Sequence, residues 1–241
     1  MPELPEVEIL CRNLRRWLKG REVRLEDLDF GCGDRQMVVT EVRRRAKVAL
    51  IQGNETWVVH LRMTGKVVPS RPEGRTRARF HAGADSYDFE DTRRLGTLSV
   101  VDRFDDSRLG PEPWPVERDG SWWQQQLARG GRGAIKPTLM RQELVAGLGN
   151  IAANEILFEA GISPYRLTST LTRWTELADA AHRYLTETVR REQADEIHYI
   201  NQGGPNPFQV YQRTHCARCG APVRKGRQQS RSSFDCSACQ S

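Results

Sequence analysis

Met1-Pro2-Glu3-Leu4-Pro5-Glu6-Val7-Glu8 opens the chain, and from Pro5 to Lys19 apolar side chains recur at Val7, Leu10, Cys11, Leu14, Trp17 and Leu18. That spacing predicts one helical stripe stopped by Gly20, a helix that must be buried against the next elements of the chain and that carries Pro2 at its N-terminal end. A small second residue lets the initiator Met be removed, leaving Pro2 as a free secondary amine. An α-amine has a reference pKa near ~8 against ~10.4 for a Lys side chain, so roughly a tenth of it is an uncharged nucleophile at neutral pH. Attack by a secondary amine on an aldehyde-level carbon, such as a sugar C1′, gives an iminium ion that draws electrons for elimination. Glu3, Glu6 and Glu8 put carboxylates within reach for proton transfer. Pro and Glu in a first turn are also ordinary helix grammar, and this stretch alone does not separate the two readings.

Outward from the helix, residues 21–101 hold short β-type runs: Val23–Leu28, Met37–Val42, Val48–Gln52, Trp57–Leu61, Lys66–Val68, Ala78–Ala82, Tyr87–Glu90 and Leu98–Val101. Turn residues separate them, which predicts a β-sandwich domain over residues 1–101. Arg43-Arg44-Arg45-Ala46-Lys47, Arg62-Met63-Thr64-Gly65 and Arg93-Arg94-Leu95-Gly96 read as loops. Their bases would neutralise phosphates while an apolar side chain enters a base stack, or they form a solvated basic surface.

Residues 102–120, rich in Pro, Gly and Asp, read as an interdomain linker. A helical domain over residues 121–207 follows, with a helix from Ser121, as its cap, to Ala128 and a short one from Lys136 or Pro137 to Glu143. Asn150–Ala160 and Thr172–Glu192 then form a pair. Gly147-Leu148-Gly149-Asn150 lets backbone N–H groups approach a phosphate, a weak signal on its own. Residues 193–214 read as irregular. The last segment, 208–241, holds Cys216, Cys219, Cys236 and Cys239, two pairs each separated by two residues. Four thiolates so spaced predict one closed, structural zinc site, with His215 a bystander and Cys11 and Cys32 structural.

A net charge of +6 favours a polyanion partner, nucleic acid before membrane. No apolar run approaches the ~18 residues of a membrane span, and the acidic start is unlike a secretory signal. A cytoplasmic, nucleoid-acting monomer is expected.

Taken together, Pro2-Glu3-Leu4-Pro5-Glu6-Val7-Glu8, Arg44-Arg45-Ala46-Lys47, Gly147-Leu148-Gly149-Asn150-Ile151, and the four-cysteine finger with Arg231-Ser232-Ser233-Phe234 resemble the formamidopyrimidine-DNA glycosylase and endonuclease VIII family. The resemblance implies an α+β fold: an N-terminal β-sandwich with its helix, then a helical domain with a helix–two-turn–helix and a zinc-finger hairpin. It implies a bifunctional glycosylase and abasic-site lyase acting on damaged double-stranded DNA. Pro2 would attack C1′ of a flipped-out nucleotide, Glu3 would transfer a proton at the sugar, and β,δ-elimination would cut on both sides. Lys47 and Arg231 would hold flanking phosphates with Asn150 as a further donor, and Met63, Arg94 and Leu95 would form the wedge. Lys136 matches the DNA-binding position of the purine-repair branch.

Departures from the family pattern bear on lesion choice. Thr92 and Leu95 stand where Pro and Phe are usual, Arg62 stands where Gly is usual, and 193–208 looks shorter than the loop that closes over 8-oxoguanine. Formamidopyrimidines, hydantoins or oxidised pyrimidines are favoured over 8-oxoguanine. Two rivals are a damage-binding protein that does not cut and a lyase confined to abasic sites; the Pro2-Glu3 pair argues against the first.

Overall fold

The apolar stripe of the opening stretch folds into α1, Leu4–Leu18, and Gly20 beyond it takes the left-handed φ of 78° that ends the helix. The computed structural model describes residues 2–72, 75–191 and 206–241. Nine strands follow α1: β1 (Glu22–Asp27), β2 (Arg35–Val38), β3 (Glu41–Arg45), β4 (Val48–Gln52), β5 (Thr56–His60), β6 (Lys66–Pro69), β7 (Thr76–Ala82), β8 (Asp85–Glu90) and β9 (Thr97–Val101). They form two antiparallel sheets, ordered β2-β1-β7-β8-β6 and β3-β4-β5-β9. The sheets meet through their apolar faces, with Trp57 of β5 and Phe80 of β7 at a ring separation of 6.0 Å. Against the second sheet α1 packs on β3 and β4, while its Trp17 stacks on Tyr87 of β8 at 4.4 Å. The expected β-sandwich with an attached helix is present.

Two expectations about this unit are corrected. Met37–Val42 is not one strand, because the chain changes sheets within it. The Val39 amide donates to Arg21, whereas the next amide, Thr40, donates to Gln52. The basic run from Arg43 is not a loop either. Arg43 to Arg45 lie on β3, and because Arg45 pairs with Val48 only Ala46 and Lys47 make the turn. Arg44 shares the inward parity of the buried Val42 and is tolerated there because Glu8 of α1 neutralises it at 3.3 Å.

A second compact unit starts at Ser107. The Pro-rich segment before its first helix is held in place: Gly110 donates to the Gln142 carbonyl and Ala146 to that of Pro111. Helices α2 (Gly120–Ala128), α3 (Ile135–Leu139), α4 (Asn150–Glu159) and α5 (Trp174–Arg191) follow. Asp119, not Ser121, caps α2, accepting the Trp122 amide at 2.8 Å. The second helix is shorter than expected, ending at Leu139. On α5 Leu177, Ala181, Leu185 and Val189 are buried, while Trp174 and Tyr184 are only partly so.

The C-terminal hairpin, β10 (Arg224–Gln228) with β11 (Arg231–Asp235), is tied to α4. Asn154 accepts the Phe234 amide at 2.7 Å, and Glu155 accepts those of Gln209, Val210 and Tyr211 at 2.7 to 3.0 Å. Phe158, Val210 and Phe234 share one core with Cys216 and Cys236. Most of the stretch expected to be irregular, 193–205, lies outside the described residues. Among the described residues no helix is long and apolar enough to cross a membrane.

Candidate nucleophile and nucleic-acid interface

Pro2 and Glu3 are both buried, and Glu3 is the N-cap of α1. Glu6 reaches back to accept the Glu3 amide at 2.8 Å, and the Glu3 side chain in turn accepts the Glu6 amide, which makes a capping box. The Pro-Glu-x-x-Glu spacing thus places two carboxyl groups beside the candidate nucleophile at the positive end of a helix. Desolvation, followed by repulsion from Glu3, pushes the Glu6 carboxyl up from 4.5 to about 7. A carboxyl that changes charge near neutrality suits proton exchange at a reacting centre. Sequence reading placed Glu6 among three acids without singling it out, because the enclosure that raises it is tertiary.

Two residues further along α1, Glu8 holds Arg44. Lys47 follows in the two-residue turn whose first position, Ala46, has a φ of 51°. Close by, burial and then the charges of Arg62 and Lys47 lower His60 from 6.5 to about 4. A neutral His60 ring accepts the Arg62 amide at 3.0 Å. This bond fixes the start of the Met63 loop, where Arg62 takes a left-handed φ of 54°.

Met63 and Leu95 are exposed apolar side chains, at 36% and 44%, on loops that approach each other through one residue. The buried Asp91 accepts the Thr64 hydroxyl from the first loop and the Gly96 amide from the second at 2.6 Å. Arg94 extends to an ion pair with Asp29, in the turn after β1. Sequence reading identified the wedge candidates and missed both aspartates, which carry no motif beyond an acid near a turn.

In the second unit Asn150 stands at the first position of α4, behind Gly149 as N-cap. Its carbonyl accepts Lys136 Nζ at 2.8 Å, and its amide donates to the Ser232 hydroxyl at 3.4 Å. Lys136 also donates to the Ser232 carbonyl at 3.0 Å and is wholly buried. In this structure Lys136 therefore supports Asn150 and the finger from beneath. Arg231 is exposed beside Ser232, directly after the tight Gln229-Ser230 turn, both of whose residues have positive φ.

The four finger cysteines bring their sulfurs within 4.8 Å of one another. Cys216 and Cys239 sulfurs lie 3.9 Å apart and those of Cys219 and Cys236 3.5 Å. A tetrahedral zinc with Zn–S of about 2.3 Å needs sulfurs about 3.8 Å apart, so the donor set fits a metal of that kind. His215 is not in this group; its ring faces Thr214.

Both units have relatives among known proteins. The family model of the formamidopyrimidine-DNA glycosylase N-terminal domain matches residues 1–98. That of the formamidopyrimidine-DNA glycosylase H2TH (helix–two-turn–helix) domain matches residues 109–198. A formamidopyrimidine-DNA glycosylase of Sodalis glossinidius is 34% identical over 269 aligned positions, covering 100% of each chain. Among solved structures, the MutM (Fpg) protein of Thermus thermophilus superposes with a TM-score of 0.82 at 31% identity, covering 99% of this chain and 98% of that one. The Lactococcus lactis enzyme, non-covalently bound to DNA containing an AP site, does so at 0.83 and 26% identity, covering 99% of both. The chain belongs to the formamidopyrimidine-DNA glycosylase family.

Proposed function

We propose that this protein is a DNA glycosylase of base excision repair that also cleaves the strand at the resulting abasic site. The observation that carries the reading is the buried Pro2 at the head of α1, flanked by the Glu3–Glu6 carboxyl pair. Once Met1 is removed, the Pro2 nitrogen attacks C1′ of a damaged nucleotide and the bond from C1′ to the base breaks, the base leaving with a proton. Glu3 protonates the ring oxygen, so that the sugar opens to an iminium on Pro2. Loss of a C2′ proton expels the 3′ phosphate, a second elimination expels the 5′ phosphate, and water releases the sugar remnant and regenerates the amine.

The other residues bind and position. Lys47 and Arg231 hold phosphates next to the lesion, and Asn150, supported by Lys136, adds a donor at the N-terminus of α4. Met63, Arg94 and Leu95 fill the space left by the flipped base. Extrusion costs a few kcal/mol and least at damaged pairs, so a wedge and phosphate clamps suffice to drive it. Cys216, Cys219, Cys236 and Cys239 hold one structural zinc, which closes the finger and leaves no position for substrate. The altered wedge residues Thr92 and Leu95 support a preference for formamidopyrimidines, hydantoins or oxidised pyrimidines over 8-oxoguanine.

Duplexes carrying each lesion, labelled on the damaged strand, test the reading. Release of the free base with a one-nucleotide gap bearing phosphate at both ends is the expected result. Tight binding without release or cleavage would replace it with a damage-binding protein, and cleavage of abasic DNA alone would reduce it to a lyase.

A further inference from the structure

The loop carrying Met63 joins β5 to β6, and the loop carrying Arg94 and Leu95 joins β8 to β9. Far apart in the chain, the two close on the same ring. A Cβ added to Gly65 would stand 2.9 Å from the Phe89 ring, and one on Gly96 would stand 2.8 Å from it. Between them lies the carboxylate of Asp91, whose side chain is fully buried. It takes the Thr64 hydroxyl from one loop, and from its own loop the amides of Gly96 at 2.6 Å and Arg93 at 3.2 Å. Burial pushes this carboxyl up, yet the bonds from Thr64 and from the Gly96, Arg93 and Leu95 amides bring it below its ordinary value.

Behind Asp91, Arg77 approaches to 3.7 Å and donates to the Gly96 carbonyl at 2.8 Å. The guanidinium lies 4.1 Å from the centre of the Phe30 ring and pairs with Asp29, which in turn holds Arg94. One continuous run of charges and hydrogen bonds therefore reaches all three wedge side chains' loops.

We propose that Asp91 is a positioning residue that locks the Met63 loop and the Arg94–Leu95 loop into one preformed wedge. Loops ordered before DNA arrives lose little conformational freedom on insertion, so more of the contact energy goes into extruding the base. Asp91 itself meets no nucleotide. The proposal rests on the DNA-repair reading above, and its test has one arm that does not.

That arm is hydrogen exchange on the free protein. Thr64→Val removes a donor from the first loop only. Loss of one hydrogen bond of about 1.4 kcal/mol corresponds to about tenfold, so the Gly96 and Arg93 amides of the second loop exchange about tenfold faster if the loops are one body. Unchanged exchange at Gly96 overturns the proposal, whatever the protein does to DNA.

The second arm compares Asp91→Asn with the parent in single-turnover reactions. Base excision from a damaged duplex falls by about tenfold or more, while incision of a preformed abasic site, where extrusion is cheap, changes less than about twofold. Equal losses on both substrates would make Asp91 a general stability residue and overturn the proposal. Failure of the parent on both substrates would contradict the functional reading instead, and the exchange arm would still decide the coupling.

Discussion

Arg62 has a φ of 54°, a region that glycine enters freely and other residues do not. The family pattern usually has Gly there, so this chain holds a strained backbone and gains a cation beside Met63. Replacing it relieves the strain: Arg62→Gly raises stability by about 0.5–1 kcal/mol in chemical denaturation, and loses a positive charge from the loop. A drop in stability would mean that contacts of the Arg62 side chain outweigh the strain of its left-handed φ.

Glu6 carries the pH dependence at this scale. Its folded pKa of about 7 lies above the unfolded 4.5, so the fold favours the protonated form. The stability it contributes is fully present below 4.5 and is lost as pH rises through about 7. His60 works in the opposite direction, its folded value near 4 lying below the usual 6.5, so stability from its neutral ring is gained across that interval. The two separate in a difference experiment. Glu6→Gln keeps an acceptor for the Glu3 amide, and against the parent it gains about 1–3 kcal/mol in thermal unfolding as pH is raised from about 5 to about 8. A difference that does not vary with pH would show that the Glu6 carboxyl titrates normally.

At the scale of elements, the finger hangs on α4. Glu155 is a buried carboxyl group whose oxygens accept three consecutive amides, Gln209 to Tyr211, shortly before the first finger cysteine, Cys216. Glu155→Gln points an N–H at amides that also donate, costing about 1–3 kcal/mol per uncompensated group. The expected outcome is earlier melting of the finger than of the sandwich, seen as faster metal release to a chelator. Removal of the metal itself should abolish DNA binding while leaving the β-sandwich folded, as read by near-ultraviolet circular dichroism of Trp57 and its neighbours. Retained DNA affinity after complete metal removal would detach the finger from the interface.

This scale also shows what the sequence makes legible. The α1 stripe, most strand positions and the cysteine spacing are periodic or chemical signals, and each appears in the structure where it was expected. The division of Met37–Val42 between two sheets leaves no trace in composition, because both halves are β-type and only their partners differ. Arg43 to Arg45 look like a loop because three charges in a row suggest exposure, and the acid that lets Arg44 turn inward is Glu8, 36 residues earlier. Lys136 matches a DNA-binding position by resemblance, yet it is buried and donates to the side-chain oxygen of Asn150 and the carbonyl of Ser232, the latter 96 residues away. Long-range partners decide these cases, and a linear pattern does not record them.

For the whole molecule, the family's N-terminal and H2TH domains both match this chain, and the proposed chemistry depends on both. The first eight residues offer a secondary amine with nearby acids, and only together with the later motifs do they separate from ordinary helix grammar. Lesion choice rests on departures from the family pattern at Arg62, Thr92, Leu95 and 193–208, and of these 193–205 lies outside the described residues. The central claim is that Pro2 becomes covalently bound to the sugar. Borohydride reduction of the protein with an abasic duplex, after intact-mass analysis has shown Met1 to be absent, tests it most directly. The account predicts a stable protein–DNA adduct that maps to Pro2 by peptide mass and vanishes in Pro2→Gly. No adduct, or an adduct on a lysine that persists in Pro2→Gly, would contradict it.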